Sequence, residues 1–362
     1  MWRGGTFCLV VLAVLFPKPI LAQEAMEGPG APAFPGPTQR AAAYANAPDI
    51  PYDSVPNFLK LPAGDFIGEV AGVARNSKGH IFVFTRAGET LLKEFDQEGN
   101  YVHTIGEGFY NFALGQSLKI DPQDNMWTID QGTNTLTKFN SAGQMVMMLG
   151  RKDEADDGRI NASPRPGVLI AVRAPGPYWG YNRPTDVAWD AAGNIFVADG
   201  FENSRIAKYD KIGLFVKTTG VKGAAPGQFN VPHTIAVDAK GNVYVGDLGN
   251  RRIQIFDNDL KFRKVIDNVG AAYTICITPG SHQYLYSSNS NPPDNDSRSM
   301  AVSGEIYKME LDGTVLGKFG KAGKQLKEFG TTKSIDCRVE NELLVGEITN
   351  YRVQKIILHP QK

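Results

Sequence analysis

The stretch Asp190-Ala-Ala-Gly-Asn-Ile-Phe-Val-Ala-Asp199 recurs further along the chain as Asp238-Ala-Lys-Gly-Asn-Val-Tyr-Val-Gly-Asp247, and Asp121-Pro-Gln-Asp-Asn-Met-Trp-Thr-Ile-Asp130 is a looser copy. Each copy is typical of a strand end, a tight Gly/Asn/Asp turn and a second strand of alternating apolar residues. An internal repeat made only of strands and turns indicates an all-β repeat architecture.

A second block follows the strand in several copies, as Asn203-Ser-Arg205-Ile206, Asn250-Arg-Arg252-Ile253 and Asn350-Tyr-Arg352-Val353. The asparagine suits a turn, and the arginine can pair with the acidic residue that ends the preceding strand. This Asp…Asn-x-Arg pattern resembles the core of the NHL repeat. We therefore expect Asp130, Asp199, Asp247 and Glu347 to have structural roles.

A third block adds a further hairpin to the unit, for example Phe95-Asp-Gln-Glu-Gly99 and Tyr209-Asp-Lys-Ile-Gly213. Four strands in roughly 40–50 residues make a propeller blade. The repeats predict six blades, at 66–108, 112–152, 182–228, 230–268, 270–327 and 330–358. The last blade has only three strands of its own, so we expect Asn57–Leu61 to supply the fourth. The predicted fold is an all-β six-bladed β-propeller of NHL repeats, with four-stranded blades and an N-terminal strand that closes the last blade.

The N-terminal region precedes the propeller. Residues 1–22 have a basic start, a short apolar core and a small residue at Ala22, which is typical of a signal peptide and predicts a secreted or periplasmic protein. The apolar core is too short to span a membrane. Residues 23–55 are rich in Pro, Gly and Ala and are expected to form a disordered tether. The propeller is expected at 56–358, with a tail at 359–362.

Two insertions interrupt the repeats, at 153–181 and 289–302. Loops of this length shape a binding face or are disordered. The first contains Tyr178 and Trp179, which favours a binding role. Cys276 and Cys337 lie on first strands of neighbouring blades, and the sequence leaves open whether they form a disulfide or two buried thiols.

Composition excludes one class of partner. Lys+Arg and Asp+Glu number 38 each, so the formal net charge gives no electrostatic reason to expect nucleic acid as a partner.

The central channel is the natural place for a small-molecule or metal site. The first strand of each blade lines this channel, and its starting residues converge on the axis. Those residues are Gly68-Glu69-Val70, Gly115-Gln116-Ser117, Pro184-Thr185-Asp186, Pro232-His233-Thr234, Ala272-Tyr273-Thr274 and Thr332-Lys333-Ser334.

Four motifs carry a more specific resemblance. They are Arg183-Pro-Thr-Asp-Val-Ala188, Asp199-Gly-Phe-Glu-Asn-Ser-Arg-Ile206, Gly227-Gln-Phe-Asn-Val-Pro-His-Thr234 and Asn250-Arg-Arg-Ile-Gln-Ile-Phe256. Together they resemble the peptidyl-α-hydroxyglycine α-amidating lyase family. The similarity is dense over 182–256 and thinner over 66–358. The resemblance implies a six-bladed propeller that cleaves a carbon–nitrogen bond with a channel zinc held by three histidines.

The residues that the resemblance places at the zinc are Gln116, His233 and Lys333, of which only His233 is a histidine. Zinc needs about three ligands from His, Cys or carboxylate. Zinc and calcium are therefore implied by the resemblance alone, and we expect no cofactor.

The remaining family positions are also substituted in part. The catalytic tyrosine corresponds to Phe201, which cannot exchange a proton. Of two substrate arginines, one is kept as Arg86 and one corresponds to Leu248. Arg86 is either a salt-bridged strand end or an anion-binding residue, and the sequence leaves both open. An aspartate at a structural calcium corresponds to Ser334.

Three functions remain open at this stage. The first is a repurposed or non-catalytic relative that binds a peptide or small anionic ligand over the channel. The second is an active lyase with an altered metal site, and the third is a protein-interaction scaffold. The candidate catalytic residues are His233 and Arg86. The candidate ligand-binding residues are Arg86, Gln116, Asp186, Phe201, His233, Lys333, Tyr178 and Trp179.

Overall fold

The computed structural model describes residues 47–86, 89–152, 180–290 and 304–359. All of them belong to one compact unit, 36–362. The expected signal peptide, most of the expected tether, and Tyr178 and Trp179 of the first insertion lie outside the described residues. None of the described ranges contains a helix long and apolar enough to cross a membrane.

The described residues form 24 strands and one short 3-10 turn, Leu248–Asn250. The strands are β1 Tyr52–Val55, β2 Glu69–Arg75, β3 Ile81–Arg86, β4 Leu92–Phe95, β5 Tyr101–Ile105, β6 Gly115–Ile120, β7 Met126–Asp130, β8 Thr135–Phe139, β9 Met145–Gly150, β10 Asp186–Trp189, β11 Ile195–Asp199, β12 Arg205–Tyr209, β13 Phe215–Thr219, β14 Pro232–Val237, β15 Val243–Asp247, β16 Arg252–Phe256, β17 Phe262–Ile266, β18 Ala272–Ile277, β19 Tyr284–Asn289, β20 Glu305–Glu310, β21 Val315–Phe319, β22 Thr332–Val339, β23 Glu342–Glu347 and β24 Arg352–Leu358.

These strands pair into six antiparallel four-stranded sheets, each of which is a blade. Blades one to five are β2–β5, β6–β9, β10–β13, β14–β17 and β18–β21, and the sixth has the order β1-β24-β23-β22. The innermost strands β2, β6, β10, β14, β18 and β22 each contact the next one round the ring, and β22 contacts β2. The prediction of an all-β six-bladed propeller is confirmed.

An N-terminal strand closes the last blade, as predicted, but it lies earlier in the chain. Strand β1 pairs with β24 over Tyr52–Val55, so the expectation of Asn57–Leu61 was wrong, and part of the expected tether is strand. The chain turns at Asn57, where φ is 48°. Beyond it, Phe58 and Leu59 pack against the core of the first blade. The apolar run that suggested a strand is thus explained by packing on blade one.

Hydrogen bonds between the first and sixth blades complete the ring. The Val73 amide donates to Ser334 Oγ at 3.0 Å, and the Arg75 amide donates to Asp336 at 3.0 Å. The Arg75 guanidinium contacts Glu342 at 2.7 Å. Ser334, which the resemblance places at a calcium, is therefore engaged in joining two blades.

A disulfide joins the inner strands of blades five and six. Cys276 on β18 and Cys337 on β22 are bonded, with Cα atoms 6.1 Å apart. The question that the sequence left open is resolved in favour of the bridge.

The predicted pairing inside the NHL repeat is also present. Arg252 Nε lies 2.8 Å from Asp247 Oδ2, and both side chains are almost completely buried. Arg252 also donates to the carbonyls of Ala224, Ala225 and Gln228. The pair thereby fixes the segment that enters blade four, which brings His233 to the channel.

Candidate functional site

Three side chains meet near the start of alternate inner strands. Gln116 is on β6, His233 on β14 and Lys333 on β22. Gln116 Nε2 lies 3.2 Å from His233 Nε2, and Lys333 Nζ lies 3.3 Å from the same nitrogen. These are the three positions that the resemblance places at one zinc, and the fold does bring them together.

The His233 imidazole is held in one orientation. Its Nδ1 lies 2.6 Å from the backbone oxygen of Tyr273, so Nδ1 carries the proton and donates. Nε2 then presents a lone pair to the channel. Burial lowers the pKa of His233 well below its ordinary value, the Lys333 and Arg86 charges lower it further, and the hydrogen bond to Tyr273 opposes the shift. The ring is therefore a neutral acceptor.

Hydrogen-bond donors outnumber acceptors at this point. Lys333 Nζ and the Gln116 amide nitrogen both face the single lone pair on His233. Gln116 Oε1 is buried and has no hydrogen-bond partner among the described residues. Buried polar atoms are nearly always paired. A bound group that accepts a hydrogen bond from one of these donors and donates one to Gln116 Oε1 would therefore satisfy the cluster.

The Lys333 amine is buried, and no carboxylate of the described residues pairs with it. The residue is 5% exposed, and no ion pair involving it occurs among the described residues. Burial lowers its pKa well below the ordinary value, the Arg86 and Lys119 charges lower it further, and Asp186 opposes them. The nitrogen also lies 5.3 Å from the centre of the Tyr273 ring.

Arg86 ends strand β3 and is not an isolated cation. Its Nε lies 2.8 Å from Glu69 Oε2, and the side chain is mostly buried. Glu69 begins the inner strand of the same blade. The sequence left open whether Arg86 is a salt-bridged strand end or an anion-binding residue and did not name its partner, although opposite charges on adjacent strands were a signal for that pairing.

Phe201 covers the histidine. The two rings meet edge to face with centres 5.6 Å apart, and the Arg183 guanidinium lies 4.7 Å from the centre of the Phe201 ring. The loop can lie this close to the channel because Gly200 has no side chain, since a Cβ there would collide with the carbonyl of Pro232. The Asp-Gly-Phe motif thus places an aromatic lid where the family has its tyrosine.

Asp186 has a different environment from the cluster. It accepts hydrogen bonds from Ser117, Thr234 and the Ile235 amide, and Lys119 lies 3.3 Å away. These contacts come from blades two and four, so Asp186 links three inner strands. Of the other predicted positions, Leu248 begins the 3-10 turn, and Tyr178 and Trp179 lie outside the described residues.

The fold and the cluster can be compared with known proteins. The NHL repeat family model matches residues 181–209 and 229–256. NHL repeat-containing protein 3 of Mus musculus is 26% identical over 206 residues, which cover 54% of this chain and 53% of that protein. "Probable peptidyl-alpha-hydroxyglycine alpha-amidating lyase" of Caenorhabditis elegans is 29% identical over 220 residues, with 54% and 57% covered. The chain is an NHL-repeat propeller related to the amidating lyases at low identity.

The similarity to these relatives covers only part of their length. The alignments span only about half the length of these two relatives, 53% and 57%. A solved structure titled "Streptogramin B lyase structure" superimposes with a TM-score of 0.52 at 13% identity, covering 86% of this chain and 98% of that one. At that identity the likeness concerns the fold alone.

The residues of this NHL-repeat propeller do not fit a zinc ion. Nε2 of His233 already faces two donors, Gln116 presents an amide nitrogen to it, and Lys333 is an amine. Within the described ranges, no group of three His, Cys, Asp or Glu side chains is arranged to hold a metal. The calcium position fits no better, because Ser334 Oγ bonds to the Val73 backbone.

The far end of the channel contains a separate cavity of about 340 Å³. It is lined by the later residues of the inner strands, both apolar ones such as Val73 and Ile120 and charged ones such as Asp336 and Arg338. None of the clustered side chains lines it. In this propeller the cavity and the polar cluster therefore lie towards opposite ends of the inner strands.

Proposed function

We propose that this propeller is a repurposed relative of the amidating lyases that binds the carboxylate of a peptide or small molecule at the start of its inner strands. The observation that carries the proposal is the buried amine of Lys333, which has His233 Nε2 as its hydrogen-bond partner and no carboxylate partner within the described part of the chain. A charged amine is costly to bury without a counter-charge. A ligand carboxylate would supply one.

The hydrogen-bonding capacity of the cluster supports this assignment. A carboxylate accepts from Lys333 and from the Gln116 amide nitrogen, and these charge-assisted bonds are stronger than neutral ones. Arg86 uses Nε for Glu69, so its terminal nitrogens can take part in holding the anion. The sequence of residues 1–22 supports a secreted or periplasmic location for this binding protein.

One alternative is favoured by specific residues. His233 and Arg86 are retained from the family positions, which is the reason to keep an active lyase with an altered metal site as the second candidate. A protein-interaction scaffold is the remaining possibility and would not require the cluster at all.

Calorimetry tests the proposal. A short peptide with a free C-terminal carboxylate is titrated into wild type and Lys333→Met, and the same peptide with an amidated C-terminus serves as a control ligand. We expect the free acid to bind, the amide to bind at least tenfold more weakly, and Lys333→Met to lose about 1.5–3 kcal/mol, the value of a hydrogen bond to a charged group. Lys240→Met, on an exposed turn, is the matched control and should bind as wild type does.

The two alternatives give different outcomes. Equal binding of acid and amide would contradict a carboxylate site. One zinc per chain, with turnover of a peptidyl-α-hydroxyglycine that vanishes in His233→Ala, would overturn the proposal in favour of the lyase.

A further inference from the structure

The surroundings of Lys333 are those of a nucleophilic amine as well as of a cation. Its side chain is 5% exposed, and its Nζ lies 3.3 Å from the unprotonated Nε2 of His233. No acid of the described residues forms an ion pair with it. Burial and the charge of Arg86 lower its pKa well below the ordinary value. Neutral lysine amines in such sites attack carbonyl carbons.

We propose that Lys333 captures the carbonyl carbon of a small α-oxo acid as a reversible imine. The inference rests on the proposed carboxylate site and adds a bond-forming function to it. The carboxylate takes the place described above, near Arg86. The carbonyl lies against Lys333.

The neighbouring side chains supply the proton transfers. The Lys333 lone pair attacks the carbonyl carbon, and His233 Nε2 takes one proton from the new ammonium and gives it to the alkoxide oxygen, so that a neutral carbinolamine forms. The nitrogen lone pair then forms the C=N bond as the C–O bond breaks, and Nε2 transfers the remaining N–H proton to the departing hydroxide, which leaves as water. The balance is an amine plus a carbonyl giving an imine plus water, with no oxidation or reduction.

Gln116 fits the intermediate of this sequence. Its Oε1 is buried and unpartnered among the described residues. The hydroxyl of the carbinolamine intermediate can donate a hydrogen bond, whereas the carbonyl oxygen of the free α-oxo acid cannot. Gln116 is therefore a positioning residue that accepts from this hydroxyl while its amide nitrogen remains directed at His233.

The site favours a small ligand. Phe201 lies edge to face on His233, and the Tyr273 ring lies 4.2 Å from the imidazole, centre to centre. Because two aromatic rings lie against the imidazole, we expect the site to accept few atoms beyond the carboxylate and the carbonyl. A two- or three-carbon α-oxo acid is the ligand class that this arrangement selects.

Reductive trapping tests the inference. Full-length protein is incubated with pyruvate and sodium borohydride near neutral pH, and the product is analysed by intact mass and peptide mapping. We expect one reduced pyruvate adduct per chain, located on Lys333. Lys333→Arg places a cation there that cannot form an imine and should lose the adduct, while Lys240→Arg on the exposed turn should keep it. Gln116→Leu should slow trapping more than it weakens the binding of lactate, which has no carbonyl.

Lactate separates this inference from the carboxylate site. If lactate binds in a Lys333-dependent way but borohydride traps no pyruvate on Lys333, the imine is overturned and the carboxylate site stands. If trapping occurs on Lys333 and lactate does not bind, the imine stands without that site. Adducts that are spread over exposed lysines and unchanged in Lys333→Arg would overturn the inference. Peptide mapping of the wild-type protein locates the adducts even if a variant fails to fold.

Discussion

Two buried polar clusters of this propeller differ in how their charges are balanced. In blade four, where β15 ends and β16 begins, Asp247 and Arg252 are 0% and 1% exposed and form a charge pair at 2.8 Å. The Arg252 guanidinium also donates to three backbone carbonyls. In the channel, Lys333 and His233 are just as buried but share a single lone pair. The Asp247–Arg252 cluster contains its own counter-charge, whereas no acid among the described residues forms an ion pair with Lys333.

The difference separates residues that stabilise the fold from residues for which we propose a ligand. A buried pair whose hydrogen bonds are all satisfied is costly to break, because the remaining charge is left in a medium of low dielectric constant. A buried amine with no counter-charge costs stability instead. Its presence is explained when something else, a bound anion or a reacting carbonyl, uses it.

The largest effect is expected from converting the channel cluster into a balanced metal site. Gln116→His with Lys333→His places three imidazoles around one point in the channel, and it removes the amine. Because three histidines suit zinc, we expect the double variant to hold one zinc per chain after dialysis, while wild type holds none. Elemental analysis provides the measurement.

A matched pair of substitutions controls this experiment. Gln116→His with Lys240→His adds the same number of histidines but leaves Lys333 in place, and should bind no stoichiometric zinc. Zinc in wild type, or equal zinc in both double variants, would contradict the comparison.

A smaller but still large effect, on the free energy of unfolding, is expected at the Asp247–Arg252 pair of blade four. Arg252→Ala leaves Asp247 buried without its partner and removes three further hydrogen bonds, so it should lower the free energy of unfolding by about 3–5 kcal/mol. Arg263→Ala breaks the pair with Asp257, in which Arg263 is 60% exposed, and should cost about 1 kcal/mol or less. Urea unfolding compares the two, and equal losses would show that burial does not distinguish them.

The smallest effect is a gain in stability from Lys333→Met. The unfolded chain carries Lys333 at its ordinary pKa of 10.5, whereas burial and Arg86 lower it in the fold. Folding therefore releases a proton, and the penalty from Lys333 is largest below the lowered pKa and fades as pH rises towards 10.5. Lys333→Met should raise the unfolding free energy by about 1 kcal/mol or more at about pH 6 and by less at about pH 9.

Other charged groups near Lys333 also contribute to the pH dependence of the unfolding free energy. Arg86 and Lys119 lower its pKa and Asp186 raises it, and all three remain in Lys333→Met. The pKa of His233 is also lowered by burial, so some slope with the same sign should persist. An unchanged or lower stability at about pH 6 would mean that the amine is not an uncompensated charge.

The repeat was readable from sequence because its determinants are local. The Gly-Asn turn, the alternating strand and the Asn-x-Arg block all act within a few residues of each other, so each blade could be recognised without the others. The acidic strand ends were assigned to structure on the same grounds, and Arg252 and Asp247 do form a pair. The family resemblance then indicated which inner-strand positions to compare.

The closing strand was misplaced because edge strands carry a weak pattern. Tyr52–Val55 needs only one face against β24, whereas the apolar run after it owes its composition to packing on blade one. The disulfide could not be decided either, because it depends on the distance between two inner strands of different blades.

The sequence by itself determined the blade and the number of blades, since both follow from neighbours in the chain, and the family resemblance indicated that Gln116, His233 and Lys333 should be compared. Only the tertiary structure decided that Arg86 is paired with Glu69, that Tyr273 fixes the His233 tautomer, and that no acid of the described residues pairs with Lys333. These depend on distances between blades far apart in sequence, and on burial, which controls the energy of a charge and is a property of the closed ring.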